Sequence, residues 1–99
     1  MLHIVNKSHR QSTSLQSCLR FAQDGHALLL TEDAVYAATK GGAASAGMAD
    51  ALARLKVYVL QPDLEARGLA AQRIDGVTTV DYGGFVDLVA EHSNCQSWL

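Results

Sequence analysis

The sequence predicts a single α/β domain, a sandwich in which a mainly parallel sheet is flanked by helices. Three observations predict it. Short, largely apolar runs recur at Leu2-His3-Ile4-Val5, Ala27-Leu28-Leu29-Leu30 and Val57-Tyr58-Val59-Leu60. Runs of that length with little polar alternation suit strands covered on both faces. Amphipathic segments separate them, and strands that alternate with helices build parallel sheets through right-handed crossovers. The third observation is size: 99 residues suffice for one core and leave little stability to spare. One domain over residues 1–99, with four to five strands, is the expectation.

Each element has its own warrant. Leu2–Val5 opens as a strand and Asn6-Lys7-Ser8 turns the chain. Ser12 to Asp24 reads as a helix. Thr13-Ser14-Leu15-Gln16 has the capping-box pattern, in which Thr13 bonds the third amide and Gln16 reaches back. Gly25 is placed to end that helix in the left-handed conformation. Ala27–Leu30 is the second strand. Glu32-Asp33 can cap a short helix, Ala34 to Thr39, broken by Gly41-Gly42. Ala43 to Leu55 is alanine-rich, with Met48, Leu52 and Leu55 on one helical face. Val57–Leu60 is the third strand. Pro62 suits a first helical turn, so Asp63 to Arg67 is a short helix stopped by Gly68. Val77–Val80 is the fourth strand. Asp81 can cap a helix over Tyr82–Glu91. The tail from Ser93 to Leu99 offers an edge strand.

Composition narrows the function classes. Hydrophobic residues make up 48% and charged residues 18%, which fits a packed domain and argues against disorder. The net charge of −2 offers no basic field for a phosphate backbone, so no direct nucleic-acid contact is expected. The first residues are too short an apolar stretch for a signal-peptide core, and no run approaches a membrane span. A cytoplasmic location follows as the expectation. Two cysteines, Cys18 and Cys95, lack CxxC spacing, and in a reducing compartment both are free thiols.

Ligand sites of open α/β sheets lie at the carboxyl ends of the strands. Here those ends are Asn6-Lys7-Ser8, Thr31-Glu32-Asp33, Gln61-Pro62-Asp63 and Asp81-Tyr82. None is a glycine-rich phosphate loop. Asp33, Asp63 and Asp81 each precede a helix, so N-capping accounts for all three. A phospho-receiver would need an acidic cluster after the first strand, and Asn6-Lys7-Ser8 is not one. His92-x-x-Cys95 supplies two ligands where a zinc site needs three or four, so no metal is expected.

Cys18 lies in SLQSCLRFA, with Leu15, Leu19 and Ala22 around it at helical spacing. Unpaired cysteine is among the most buried residue types and is then inert. As a nucleophile it would need a thiolate, which Lys7, His9, Arg10 and Arg20 could favour by folding over it. Cys95 is a second candidate thiol near the chain's end. Trp98 beside it suits a contact surface or packing on its own domain.

Several segments in order resemble one family. They are LHIVNKS, SLQSCLRFA, EDAVYAA, LKVYVLQPDLEARGL, VDYGGFVDLV and QSWL. The most specific are Lys56-x-Tyr58-x-Leu60-x-x-Asp63-Leu64-x-Ala66-Arg67-Gly68 and Asp81-Tyr82-x-x-Phe85-Val86. This set is similar, over nearly the whole chain, to the TusB/DsrH family of sulfur-relay subunits. The resemblance implies a DsrE-like α/β fold. It implies assembly with TusC/DsrF-type and TusD/DsrE-type subunits into a dimer of heterotrimers. The complex would pass persulfide sulfur to a TusE/DsrC-type carrier, for tRNA wobble-uridine 2-thiolation or for dissimilatory sulfur oxidation. The main acceptor cysteine generally belongs to the TusD/DsrE-type subunit. DsrH-type members carry a cysteine where Cys18 stands and many TusB-type members do not, so this sequence looks closer to DsrH. The resemblance makes Cys18 the candidate catalytic residue, a persulfide carrier whose chemistry requires no metal or organic cofactor, and assigns Cys95 no role. The alternative is a non-catalytic subunit that completes the heterohexamer.

Overall fold

The computed structural model describes residues 1–99. Its order is β1 (Leu2–Val5), α1 (Ser14–Phe21), β2 (Ala27–Leu30), a 3-10 helix (Glu32–Ala38), α2 (Met48–Arg54), β3 (Lys56–Leu60), α3 (Gln61–Ala66), a 3-10 turn (Ala70–Gln72), β4 (Thr78–Val80), α4 (Tyr82–Glu91) and β5 (Cys95–Trp98). The strands form one five-stranded sheet in the order β4-β3-β2-β1-β5. Every pair is parallel, with Leu2 opposite Ala27 and Cys95, Ala27 opposite Lys56, and Tyr58 opposite Thr78. The α/β reading holds, and the tail forms the fifth strand.

Topology divides the core. From β1 to β4 the chain steps one strand at a time in one direction, so right-handed crossovers put every intervening helix on one face. The return from β4 to β5 runs the other way and puts α4 on the opposite face. Packing follows that division. One cluster joins Leu15, Cys18, Ala34, Met48 and Leu64 to Val5, Leu28, Leu30, Val57 and Val59. The other joins Leu88 to Leu2, Ala27 and Leu29, with Phe85 packed beside them. All four residues of β2 are buried because it is central and covered on both faces.

Four sequence expectations are corrected. α1 runs over Ser14–Phe21, not Ser12 to Asp24, and Thr13 makes no side-chain cap bond. The Ser12 hydroxyl instead accepts the amide of Ser14 at 3.1 Å, so the capping box does not form. The helix stops early because Arg54 reaches across from α2 and donates to the carbonyls of Leu19 and Ala22. A guanidinium on the last carbonyls is an effective C-terminal cap. Gly25 is left-handed at φ 89°, but it turns the chain into β2 and does not cap the helix. The alanine-rich helix is regular only from Met48, after Gly47 at φ 73°. Where Gly42 passes Tyr36, a β-carbon would lie 2.2 Å from the Tyr36 carbonyl oxygen, so this break has a steric cause.

Other local signals hold. Asp81 caps α4, accepting the amide of Gly84 at 2.7 Å. α3 ends at Gly68, where the amides of Gly68 and Leu69 bond the carbonyls of Glu65 and Leu64 at 3.0 and 2.9 Å. That pair of bonds, with a left-handed glycine, is a Schellman stop. No helix is long and apolar enough to cross a membrane.

Candidate functional site

The carboxyl ends of the strands carry three aspartates in three different structural tasks. Asp81 caps its own helix. Asp63 lies inside the first turn of α3 and accepts the amide of Glu32 at 2.6 Å. It thereby caps the neighbouring 3-10 helix, not its own. That bond fixes Glu32 at φ 49°, a left-handed conformation uncommon for a residue with a side chain. Asp33 pairs with Arg67 at 3.0 Å. N-capping of their own helices, expected for Asp33 and Asp63, is therefore corrected: the first turns start one or two residues earlier. All three carboxylates are occupied by the fold.

Beside these ends a cleft of about 460 Å³ opens between α1 and the segment before α2. His9, Thr13, Gln16, Arg20, Ser45 and Asp50 line it, with Leu15 and Leu19 at its floor. The Ser45 hydroxyl donates to the Gly42 carbonyl at 3.1 Å, so His9 Nε2–H donates to Ser45 Oγ at 2.8 Å. The hydroxyl proton is therefore turned away from the imidazole, which is not the arrangement of an activated serine. Burial and the Arg10 guanidinium both lower the His9 pKa.

Cys18 lies behind this cleft on the inner face of α1 and has no exposed surface. It packs in the main apolar cluster with Leu15 and Ala22. Burial pushes its thiol up to about 12, and no cation offsets that. The four cations nearby in sequence are engaged or directed elsewhere, and Lys7 is exposed to solvent. Arg10 donates to the Gly41 carbonyl at 3.0 Å, His9 meets Ser45, and Arg20 is exposed along the cleft. Cys95 is exposed at the start of β5, opposite Leu2 and on the α4 side of the sheet. The two sulfurs thus occupy opposite faces. His92 ends α4 and donates to the Leu88 carbonyl at 2.8 Å. No three His, Cys, Asp or Glu side chains converge to hold a metal ion.

Sequence reasoning missed a cluster of rings at the other end of the sheet. Trp98 folds back onto its own domain and donates from Nε1 to His3 Nδ1 at 3.1 Å. His3 Nε2 lies 3.0 Å from His26 Nδ1. Phe21 completes the group, its ring centroid 5.7 Å from that of Trp98 and 6.0 Å from that of His3. The available signal was the alternation in Leu2-His3-Ile4-Val5, which puts His3 on the α1 side.

Comparison with known proteins agrees with this architecture. The model of the family described as "DsrH like protein" matches residues 7–95. The chain is 38% identical over 103 residues to a TusB protein of Pectobacterium parmentieri, covering 99% of this chain and all of that one. It is also 38% identical over 98 residues to the TusB protein of Salmonella dublin, with 99% and 100% covered. A solved structure of a protein of unknown function from Methanobacterium thermoautotrophicum superposes with a TM-score of 0.73 at 15% identity, covering 97% of this chain and 95% of that one. At that identity the likeness concerns the fold alone. With the family model spanning nearly the whole chain and full-length relatives alongside, the chain belongs to the TusB/DsrH family.

Proposed function

We propose that this chain is a structural subunit of a cytoplasmic sulfur-relay complex, in which other subunits hold the persulfide and this one completes the assembly. Its family supports relay membership in general. The observation that carries the structural role is the burial of Cys18, with its thiol raised to about 12. A sulfur carrier attacks the outer sulfur of a donor persulfide as thiolate. The donor S–S bond breaks, the donor leaves as thiolate, and the carrier becomes Cys-S-SH. At neutral pH a thiol raised that far is almost entirely protonated. Here α1 also shields the sulfur from any donor.

In this reading the partners are DsrE/TusD-type and DsrF/TusC-type subunits and a DsrC/TusE-type carrier. The end of the relay is dissimilatory sulfur oxidation or tRNA wobble-uridine 2-thiolation. A second reading makes Cys18 a transient persulfide site reached when α1 moves. The match of SLQSCLRFA to the DsrH pattern supports it.

The test is to incubate the protein, alone and with the partner subunits, with a persulfide donor and to map added sulfur by peptide mass. The expected result is a loaded partner subunit, no sulfur on the Cys18 peptide, and full transfer by a complex carrying Cys18→Ala. Sulfur on Cys18 that disappears together with transfer in Cys18→Ala would establish the carrier reading. A chain that stays monomeric beside both partners would overturn relay membership itself.

A further inference from the structure

The ring cluster has a unique proton arrangement. An indole N–H only donates, so the 3.1 Å bond from Trp98 Nε1 requires His3 Nδ1 to be bare. Neutral His3 then carries its proton on Nε2 and donates to His26 Nδ1 at 3.0 Å. His26 Nδ1 also lies 3.3 Å from the amide of Gln23, a second donor. It too must be bare, leaving the His26 proton on Nε2. The chain of donors therefore runs one way, from Trp98 to His3 to His26, and exists only with both imidazoles neutral.

What this chain holds is β5. Cys95, Gln96 and Ser97 are exposed and Leu99 is 80% exposed, so Trp98 is the only side chain of the strand that packs inward. Beyond the ladder to β1, the segment is tied by the Leu2 amide to the Asn94 carbonyl at 3.1 Å and by Ser14 Oγ to the Leu99 carbonyl at 3.2 Å.

We propose that the Trp98–His3–His26 chain is a pH-sensitive clasp that docks the carboxyl-terminal strand when both histidines are neutral and releases it when either is protonated. A proton on His3 Nδ1 meets the indole N–H. A proton on His26 Nδ1 meets the His3 and Gln23 donors. Either event sets donor against donor, at the fully buried His3 or at the half-buried His26. No counter-ion relieves this. The charged groups facing the pair are the amino terminus and His92, both of which oppose protonation. From α1 and β5 come only Phe21 and Trp98. Asp24, two residues before His26, is paired with Arg54 at 2.9 Å. Release would uncover the edge of β1, whose amides and carbonyls pair with β5.

Trp98 is the sole tryptophan, so its fluorescence reports the clasp directly. On acidification its emission is expected to shift red with a midpoint below the ordinary histidine value of about 6.5. Amide exchange in 95–99 should accelerate over the same range, while far-UV ellipticity holds. Ring nitrogen NMR at pH 8 should show both histidines protonated on Nε2. His26→Gln leaves one titrating ring and should move the midpoint further down. His3→Gln should do the same where it folds. A bare Nε2 on either ring at pH 8 would overturn the proposal. So would an unchanged midpoint in His26→Gln, or loss of far-UV signal coincident with the Trp98 shift.

Discussion

At the scale of single residues, chemistry is decided by what surrounds a side chain. Cys18 and Cys95 are the same thiol in opposite settings, one sealed under α1 and one exposed on an edge strand. A thiol reagent should therefore label one cysteine per native chain, Cys95, and two after denaturation. Native labelling of Cys18 at a comparable rate would show that α1 opens readily. Cys18→Ser should destabilise by about 1–3 kcal/mol, because a hydroxyl buried there lacks a partner; equilibrium denaturation measures this. Cys18→Ala should cost less, since no polar group is stranded. The histidines set a pH dependence with a definite sign. The pKa values of His3 and His26 are lowered in the fold first by burial; His26 and the amino terminus further oppose charge on His3, and the amino terminus and His92 oppose it on His26. The native state then binds fewer protons than the unfolded chain below about pH 6.5. Stability from these groups is full above that value and falls as the pH drops through it towards the folded pKa values. Urea midpoints between pH 8 and 5 should decline accordingly, and the decline should be smaller in His26→Gln.

At the scale of elements, the two amphipathic helices show how far local pattern reaches. α4 begins and ends where its sequence signals lie, because Asp81 needs only the Gly84 amide three residues on. α1 carries an equally good local signal in Thr13 and Gln16, but its start is set by Ser12 and its end by Arg54. Asp81→Ala should therefore cost about 1 kcal/mol, the usual worth of a cap. Thr13→Ala should fall within ~0.5 kcal/mol of the parent, as surface changes without such a bond do. Thermal or urea denaturation of both variants checks the contrast, and an equal loss in the two would contradict the observed cap geometry. Gly42→Ala tests the other boundary. Its β-carbon would collide with backbone at Tyr36, so a loss of about 1–3 kcal/mol is expected, as for overpacking.

At the scale of the whole molecule, the strand order produces two unequal cores. One face receives every helical segment between β1 and β4 and the other only α4, whose Tyr82, Val86 and Val89 stay exposed at 62, 66 and 40%. β2 joins both cores, and Leu29 is fully buried on the α4 side. Leu29→Ala should lose about 2–5 kcal/mol, whereas Leu99→Ala should change the denaturation midpoint little. The same organisation explains why an isolated helix of eight residues, such as α1, is stable here: packing on the sheet supplies what propensity cannot.

The apolar runs determined the strands, their mainly parallel arrangement and the alternation with helices, because these follow from short-range periodicity and chain connectivity. The tail could be read only as an available edge strand, and the ordered motifs pointed to the family. Tertiary structure alone decided the rest, since it depends on groups distant in sequence. Arg54 ends α1 from 32 residues beyond Ala22. Asp63 caps a helix 31 residues earlier. Trp98 reaches His3 across a separation of 95. Cys18 belongs to the same class: its helical position was legible, but its burial depends on how the sheet and its neighbouring helices close over the sulfur.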